Sequence, residues 1–217
     1  MNKTLLPAIA VVVALGGGGY WYMTQQQSTG PVAASATTAP HEIHPLDIPL
    51  GNPDASVVVV EYSSLTCPHC ATFNLGPFQQ IKENYIDTGD ILFLKREVYF
   101  DRFGLWAGMV ARCGGDERYH GVVEMIYQQQ GTWAGSSDPA TVAGNLRRLG
   151  RQAGMSDAEV NACLEDADKA LELTEFYQAN AEADGIRATP TFMINGQRYS
   201  NMPLSEFTSV LDGYLGG

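Results

Sequence analysis

Apolar and polar positions change rhythm several times along this chain. Leu5 to Met23 runs without a charge, and residues 24–45 follow with Gln, Ser, Thr, Ala and Pro that have little to bury. The first stretch has the character of an export signal, the second that of a flexible linker. Folded structure is expected near Ile48, as a short strand around Ile48–Leu50 and a turn at Gly51-Asn52-Pro53-Asp54. Val57-Val58-Val59-Val60-Glu61-Tyr62 reads as the main strand, a buried run interrupted by one charge. A helix is predicted from Cys67 through Phe78, kinked near Gly76-Pro77, and on to Tyr85. After a turn at Gly89-Asp90, Ile91–Tyr99 has strand character. There Ile91, Phe93 and Lys95 share one face, and Leu92 and Leu94 the other.

From about Phe103 to Gly185 the spacing becomes helical. Leu105, Met109 and Val110 repeat at a period near 3.6, as do Tyr119, Val122, Val123, Ile126 and Tyr127. Leu146 with Leu149 and Val160 with Leu164 continue it, and Ser156 followed by Glu159 forms a capping box. Strands return at Pro190, where Thr191-Phe192-Met193-Ile194 leads into Asn195-Gly196, a strong hairpin signal. A last helix, Leu204–Leu215, shows Leu204, Phe207, Val210, Leu211 and Tyr214 on one face. This order predicts an α/β domain over residues 46–217 with a helical insertion at about 103–185.

Composition narrows the partners. The chain has 217 residues, 45% hydrophobic, with a formal net charge of -11 and a pI near 4.6. An acidic surface repels phosphate backbones, so nucleic acid is excluded as the natural partner. Lys3 and the amino terminus precede the apolar run. Nineteen uncharged residues ending in Tyr20, Trp21 and Tyr22 suit an uncleaved signal anchor in the inner membrane, although Gly16 to Gly19 weaken it. In either form the bulk of the chain is expected to be exported to a compartment that permits disulfides.

The candidate chemistry lies in Cys67-Pro68-His69-Cys70, placed where a strand turns into a helix. The first sulfur would sit at the helix N-terminus, where unpaired N–H groups favour an anion. Cys67 is then the nucleophile, and Cys70, one turn on, the resolving thiol. A structural zinc site needs four ligands, and the remaining cysteines, Cys113 and Cys163, form no second pair of this spacing. No cofactor or metal is implied. His41-Glu42-Ile43-His44 holds two ligand-type side chains but lies on the tether. A protonated His69 would stabilise the Cys67 thiolate and make the disulfide more oxidising; the plain alternative is a solvent-facing ring. Glu61 is either a buried acid with a partner or an outward-pointing edge residue.

Val60-Glu61-Tyr62-Ser63-Ser64-Leu65-Thr66-Cys67-Pro68-His69-Cys70 resembles the active-site segment of DsbA-type thiol:disulfide oxidoreductases. Thr189-Pro190 resembles the cis-proline loop of thioredoxin-fold proteins. The resemblance implies a thioredoxin fold with an inserted helical subdomain. It implies that Pro190 packs beside the dithiol, that the backbone of Thr189 pairs with a substrate strand, and that Glu61 and Lys95 are partners beneath the site. It also implies a periplasmic setting, reduced and unfolded exported proteins as substrates, and a quinone-linked membrane reoxidant of the DsbB type. A reductase or isomerase would use the same cysteines in reduced form. A peptide-binding chaperone module would not use them at all. In an oxidising compartment Cys113 and Cys163 are expected to form a structural disulfide, the alternative being two buried free thiols.

Overall fold

The computed structural model of the protein describes residues 43–216. The charge-free run at 5–23, most of the linker, and His41 and Glu42 lie outside the described residues. Among the described residues no helix is long and apolar enough to cross a membrane.

The strands are β1 (Leu50–Gly51), β2 (Val57–Ser63), β3 (Ile91–Glu97), β4 (Thr191–Ile194) and β5 (Gln197–Ser200). Their order across the sheet is β1-β3-β2-β4-β5. β2 and β3 run parallel, and the other neighbours antiparallel. Every residue of β2 is buried, as its unbroken apolar run requires of a strand covered on both faces. The helices follow as α1 (Pro68–Leu75), α2 (Pro77–Ile81), α3 (Arg102–Cys113), α4 (Asp116–Gln128), α5 (Gln130–Trp133), α6 (Pro139–Gln152), α7 (Asp157–Glu165), α8 (Ala167–Ala183) and α9 (Leu204–Leu215). Thus α3 to α8 intervene between β3 and β4.

Side-chain alternation along β2 and β3 sorts the core by face. Val57, Val59, Ile91 and Phe93 pack with Phe73, Phe78, Phe207 and Leu211 of α1, α2 and α9. Phe73 is central there, with ring centroids 4.7 Å from Phe192 and 5.9 Å from Phe207. Val58, Val60, Leu92 and Leu94 face the other way, towards Ala181 and Ile186. A third cluster fills the helical block and reaches Cys70, with Tyr119, Trp133, Leu146 and Val160 buried in it. Gly150 permits the close crossing of α6 and α7, because a Cβ there would meet Val160 Cγ2 at 2.4 Å. The Ser156–Glu159 capping box closes in both directions, at 3.3 and 2.7 Å.

Boundaries differ from the sequence expectation where long-range partners decide them. The first strand is Leu50–Gly51 and not Ile48–Leu50. Ile48 instead joins the helical core, and its carbonyl contacts the His120 ring at 3.2 Å. β3 stops at Glu97, whose carboxylate is taken by Arg112 at 2.6 Å and the Tyr119 hydroxyl at 2.8 Å. The first helix breaks at Gly76, and its last turn, Lys82–Ile86, is π-helical. Order also begins before Ile48. His44 stacks on Phe176 at 4.5 Å, and buried Asp47 pairs with Arg96 at 2.7 Å.

Cys113 and Cys163 are joined in a disulfide (S–S 2.01 Å, Cα–Cα 5.9 Å) that ties the end of α3 to α7 across 50 residues. Closing a loop of that length restricts the unfolded chain. Replacing both cysteines by Ala is expected to lower the unfolding free energy by about 3–4 kcal/mol in the chain-entropy model. Urea unfolding under non-reducing conditions reads this, and an unchanged midpoint would refute it.

Candidate active site

Ser63-Ser64-Leu65-Thr66 leaves the buried end of β2 and turns directly into α1. Cys67 is the N-cap of α1, with extended backbone (φ -82°, ψ 120°), and Pro68 takes the first helical position, where its missing N–H costs nothing. The Cys67 N–H donates to Ser64 O at 3.1 Å. This placement leaves Cys67 half-buried while Cys70, one turn on, is fully buried. Both carry free thiols.

The helical block grips this turn. Gln130 Nε2 donates to Leu65 O at 2.8 Å and to Cys67 O at 3.1 Å. The Thr66 hydroxyl donates to Asp101 at 2.6 Å, and the other oxygen of the same carboxylate caps α3 through Phe103 N and Gly104 N, at 2.8 and 2.9 Å. On the opposite side comes the Thr189–Pro190 bond, which is cis. Thr189 O lies 3.5 Å from Cys67 Sγ. His69, Thr189 and Pro190 line a surface hollow of about 280 Å³ with Ala188, Thr191, Ser200 and Asn201. His69 is exposed.

The two thiols differ in acidity. Burial works to raise the pKa of Cys67. The Thr189 side chain, the Cys70 N–H and thiol, and the His69 N–H outweigh it and hold the thiol below its ordinary value. His69 thus bears on the sulfur through its backbone, at the helix start. For Cys70, burial and then the negative charge of Glu61 push the pKa well up.

Beneath Cys70, Glu61 of β2 stands in register with Lys95 of β3. Both are buried, with Lys95 2% exposed and Glu61 fully enclosed. The Lys95 ammonium donates to Glu61 and to the Asn74 side-chain oxygen. Asn74 Nδ2 in turn donates to Glu61 at 2.8 Å and to Cys70 O at 3.0 Å. The ammonium also lies 5.0 Å from the Phe78 ring centroid. Glu61 is therefore not on an outward edge.

A family model described as thioredoxin matches residues 44–213. The chain belongs to the thioredoxin family. Among curated relatives, a Rickettsia bellii protein named "Putative protein-disulfide oxidoreductase" is 34% identical over 174 residues. That alignment covers 76% of this chain and 63% of the relative, so this chain spans under two thirds of its length. Among solved structures, Wolbachia pipientis alpha-DsbA1 superposes with a TM-score of 0.74 at 28% identity, covering 80% of this chain and 93% of that one. Oxidised BdbD from Bacillus subtilis reaches 0.70 at 23% identity, covering 79% and 94%, a likeness of fold. The likeness to alpha-DsbA1 agrees with the DsbA-type resemblance drawn from the two motifs.

Within this thioredoxin-family site the fold brings together Cys67, Pro68, His69, Cys70, Thr189 and Pro190, with Glu61 and Lys95 below. Cys113 and Cys163 stand apart, between α3 and α7. His44 stacks on Phe176, and no group of three metal-ligating side chains exists among the described residues. Asn74, Asp101 and Gln130 escaped the sequence reading. Asn74 left a trace, as a polar residue among Cys70, Ala71 and Phe73 on the inner side of α1. Gln130 left none, because its partners are backbone carbonyls more than sixty residues away.

Two expectations follow. Lys95→Met strands a buried carboxylate and should destabilise the fold by about 3–5 kcal/mol. The double variant Glu61→Gln/Lys95→Met should recover more than half of that loss. Chemical denaturation tests the cycle, and a double variant no better than the single would disprove the pairing. Second, the folded-state pKa of Cys67 is depressed. Its thiolate therefore contributes stability to the reduced protein above the unfolded thiol value, about 8.5, and that contribution fades as pH falls through the lower folded value. Thiolate absorbance of the reduced protein should show a step below the ordinary thiol range that vanishes in Cys67→Ser. A step at or above that range would contradict the assignment.

Proposed function

We propose that the protein is a thiol:disulfide oxidoreductase that donates the Cys67–Cys70 disulfide to reduced, unfolded exported proteins. The observation that carries this reading is the opposed setting of the two thiols. Cys67 is half-exposed and acidified, whereas Cys70 is buried and kept protonated. A substrate thiolate attacks Cys67 Sγ of the disulfide. The Cys67–Cys70 bond breaks, a mixed disulfide forms at Cys67, and Cys70 leaves and takes up a proton. A second substrate thiolate attacks the mixed disulfide at the substrate sulfur and releases the Cys67 thiolate. The substrate loses two electrons and two protons, and the enzyme dithiol gains the electrons.

Stabilising the Cys67 thiolate favours the reduced enzyme, and hence disulfide donation. Thr189 O beside Sγ offers an acceptor for a substrate backbone N–H, and Pro190 and His69 border the approach. Turnover returns the dithiol to the disulfide by passing two electrons to a membrane reoxidant of the DsbB type. The Cys113–Cys163 disulfide supports an oxidising compartment, and the charge-free run at 5–23 supports export to the periplasm, with an anchor in the inner membrane. A reductase or isomerase would run the same exchange from the reduced form.

Cys67→Ser is expected to abolish oxidation of a reduced protein substrate. Cys70→Ser mixed with a disulfide-bearing substrate should accumulate the mixed disulfide, because the Cys67 thiolate attacks the substrate disulfide, one substrate thiolate leaves and no resolving thiol remains; it is visible by mass after acid quenching. Equilibration with glutathione should place the potential near the roughly -120 mV of strong dithiol oxidants. A value near the roughly -270 mV of thioredoxin would reverse the assigned direction.

A further inference from the structure

The hollow beside the dithiol does not end at Pro190. Ala188, Thr191 and Ser200 line it and also line a second hollow, of about 440 Å³, whose other walls are Gly185, Arg187 and Arg198. The shared walls make a groove along β4 and β5, and β5 is the edge of the sheet. Its near end is Thr189, against Cys67. Its far end carries two guanidinium groups on a chain whose net charge is -11.

Both arginines are exposed. Among the described residues Arg198 is held by backbone carbonyls, its Nη1 donating to Asp184 O at 3.3 Å and Gly185 O at 2.9 Å. Gly185, with φ +63°, makes room for it, since a Cβ there would meet Nη1 at 2.7 Å. Neither Arg187 nor Arg198 forms an ion pair with any described residue. Asp184 accepts from the Tyr62 hydroxyl at 2.5 Å. Glu182 shares a separate hollow with Arg187 but makes no ion pair to it. Two cations that form no ion pair with any described residue therefore border the groove in which a substrate strand would lie.

We propose that the Arg187–Arg198 end of this groove selects reduced substrate segments that carry acidic side chains about two to four residues from the reacting cysteine. The inference rests on the exchange reading above and adds to it the class of sequence preferred. A segment paired to the backbone of Thr189 advances about 3.3 Å per residue. Arg187 precedes Thr189 by two positions, so a substrate side chain about two residues from the one opposite Thr189 comes level with it. Thiol exchange then proceeds with the same bonds made and broken. The arginines alter capture, not the electron balance.

The test uses the oxidised full chain and pairs of two-cysteine peptides, identical except for Asp and Glu against Asn and Gln at those positions. The acidic peptide should be oxidised about three- to tenfold faster than its neutral twin at low ionic strength. The ratio should approach one near 1 M salt, where the screening length is about 3 Å. In Arg187→Gln/Arg198→Gln the ratio should fall below about two, with Arg187→Gln alone between the two, because each cation contributes separately. A ratio of one in the native protein, a ratio indifferent to salt, or one undiminished in the double variant would overturn the proposal. Uncharged dithiothreitol separates the two readings. If the native disulfide does not oxidise it, the exchange reading fails and this inference falls with it. If it does while the peptide ratio is one, charge selection alone is lost.

Discussion

An acid and a base are enclosed between two parallel strands, and much of the structure is arranged to keep them there. Taking one ion from water into a protein interior costs several kcal/mol even after relaxation. Glu61 and Lys95 meet that cost by facing each other across β2 and β3 and by sharing Asn74. The pairing ties three elements at once. It holds the β2–β3 register, because a slip of one residue would turn Glu61 to the opposite face of the sheet. It also holds α1 against the sheet, because Asn74 is that helix's contribution. Burial of both charges, with the Phe78 and Phe93 ring centroids 5.0 and 5.6 Å from the Lys95 ammonium, is the reason the pairing is compulsory.

The same arrangement sets the chemistry one turn away. Asn74 Nδ2 is bound both to Glu61 and to Cys70 O, so the carboxylate is held close under the inner thiol. Its negative charge and the surrounding apolar packing both oppose ionisation of Cys70. Cys67, three residues earlier, emerges from that packing at the helix start and meets N–H and hydroxyl donors. A single helical turn therefore separates a nucleophile from a reserve thiol. The difference arises from where the turn places each sulfur relative to the sheet, since the residue type is the same.

Much of this was legible in the sequence because it depends on local pattern. The Val57–Tyr62 run announced a covered strand, the Cys67-Pro68-His69-Cys70 spacing a dithiol at a helix start, and Asn195-Gly196 the hairpin that follows Pro190. The face assignment of Ile91 and Phe93 against Leu92 and Leu94 agrees with their division between two core clusters. What could not be read was settled by partners far apart in the chain. Asp47 belongs to the fold because Arg96 needs a carboxylate, so order starts ahead of Ile48. β3 ends where Glu97 turns to Arg112 and Tyr119. Asn74 and Gln130 are ordinary polar residues whose roles depend on contacts that no spacing rule encodes.

The helical block is more than an insertion that lengthens the chain. The turn at Ser64–Cys67 has backbone carbonyls that would otherwise seek water or distort the start of α1. Gln130 satisfies Leu65 O and adds a second donor to Cys67 O, which already accepts from Ala71 N, and Asp101 holds Thr66 while capping its own helix. A loop held from one side by side chains of α3 and α5, and bounded on the other by Thr189, has little freedom to move the Cys67 sulfur away from its donors. The same block also packs against Cys70, so both sulfurs depend on it, while Asn74 ties the Cys70 carbonyl to Glu61 of the sheet. The nucleophile is thus held by the helical block and the proline loop, and the resolving thiol by the same block and, through Asn74, by the sheet. A change in the block therefore bears on both sulfurs, whereas Glu61 acts on the inner one from the sheet side.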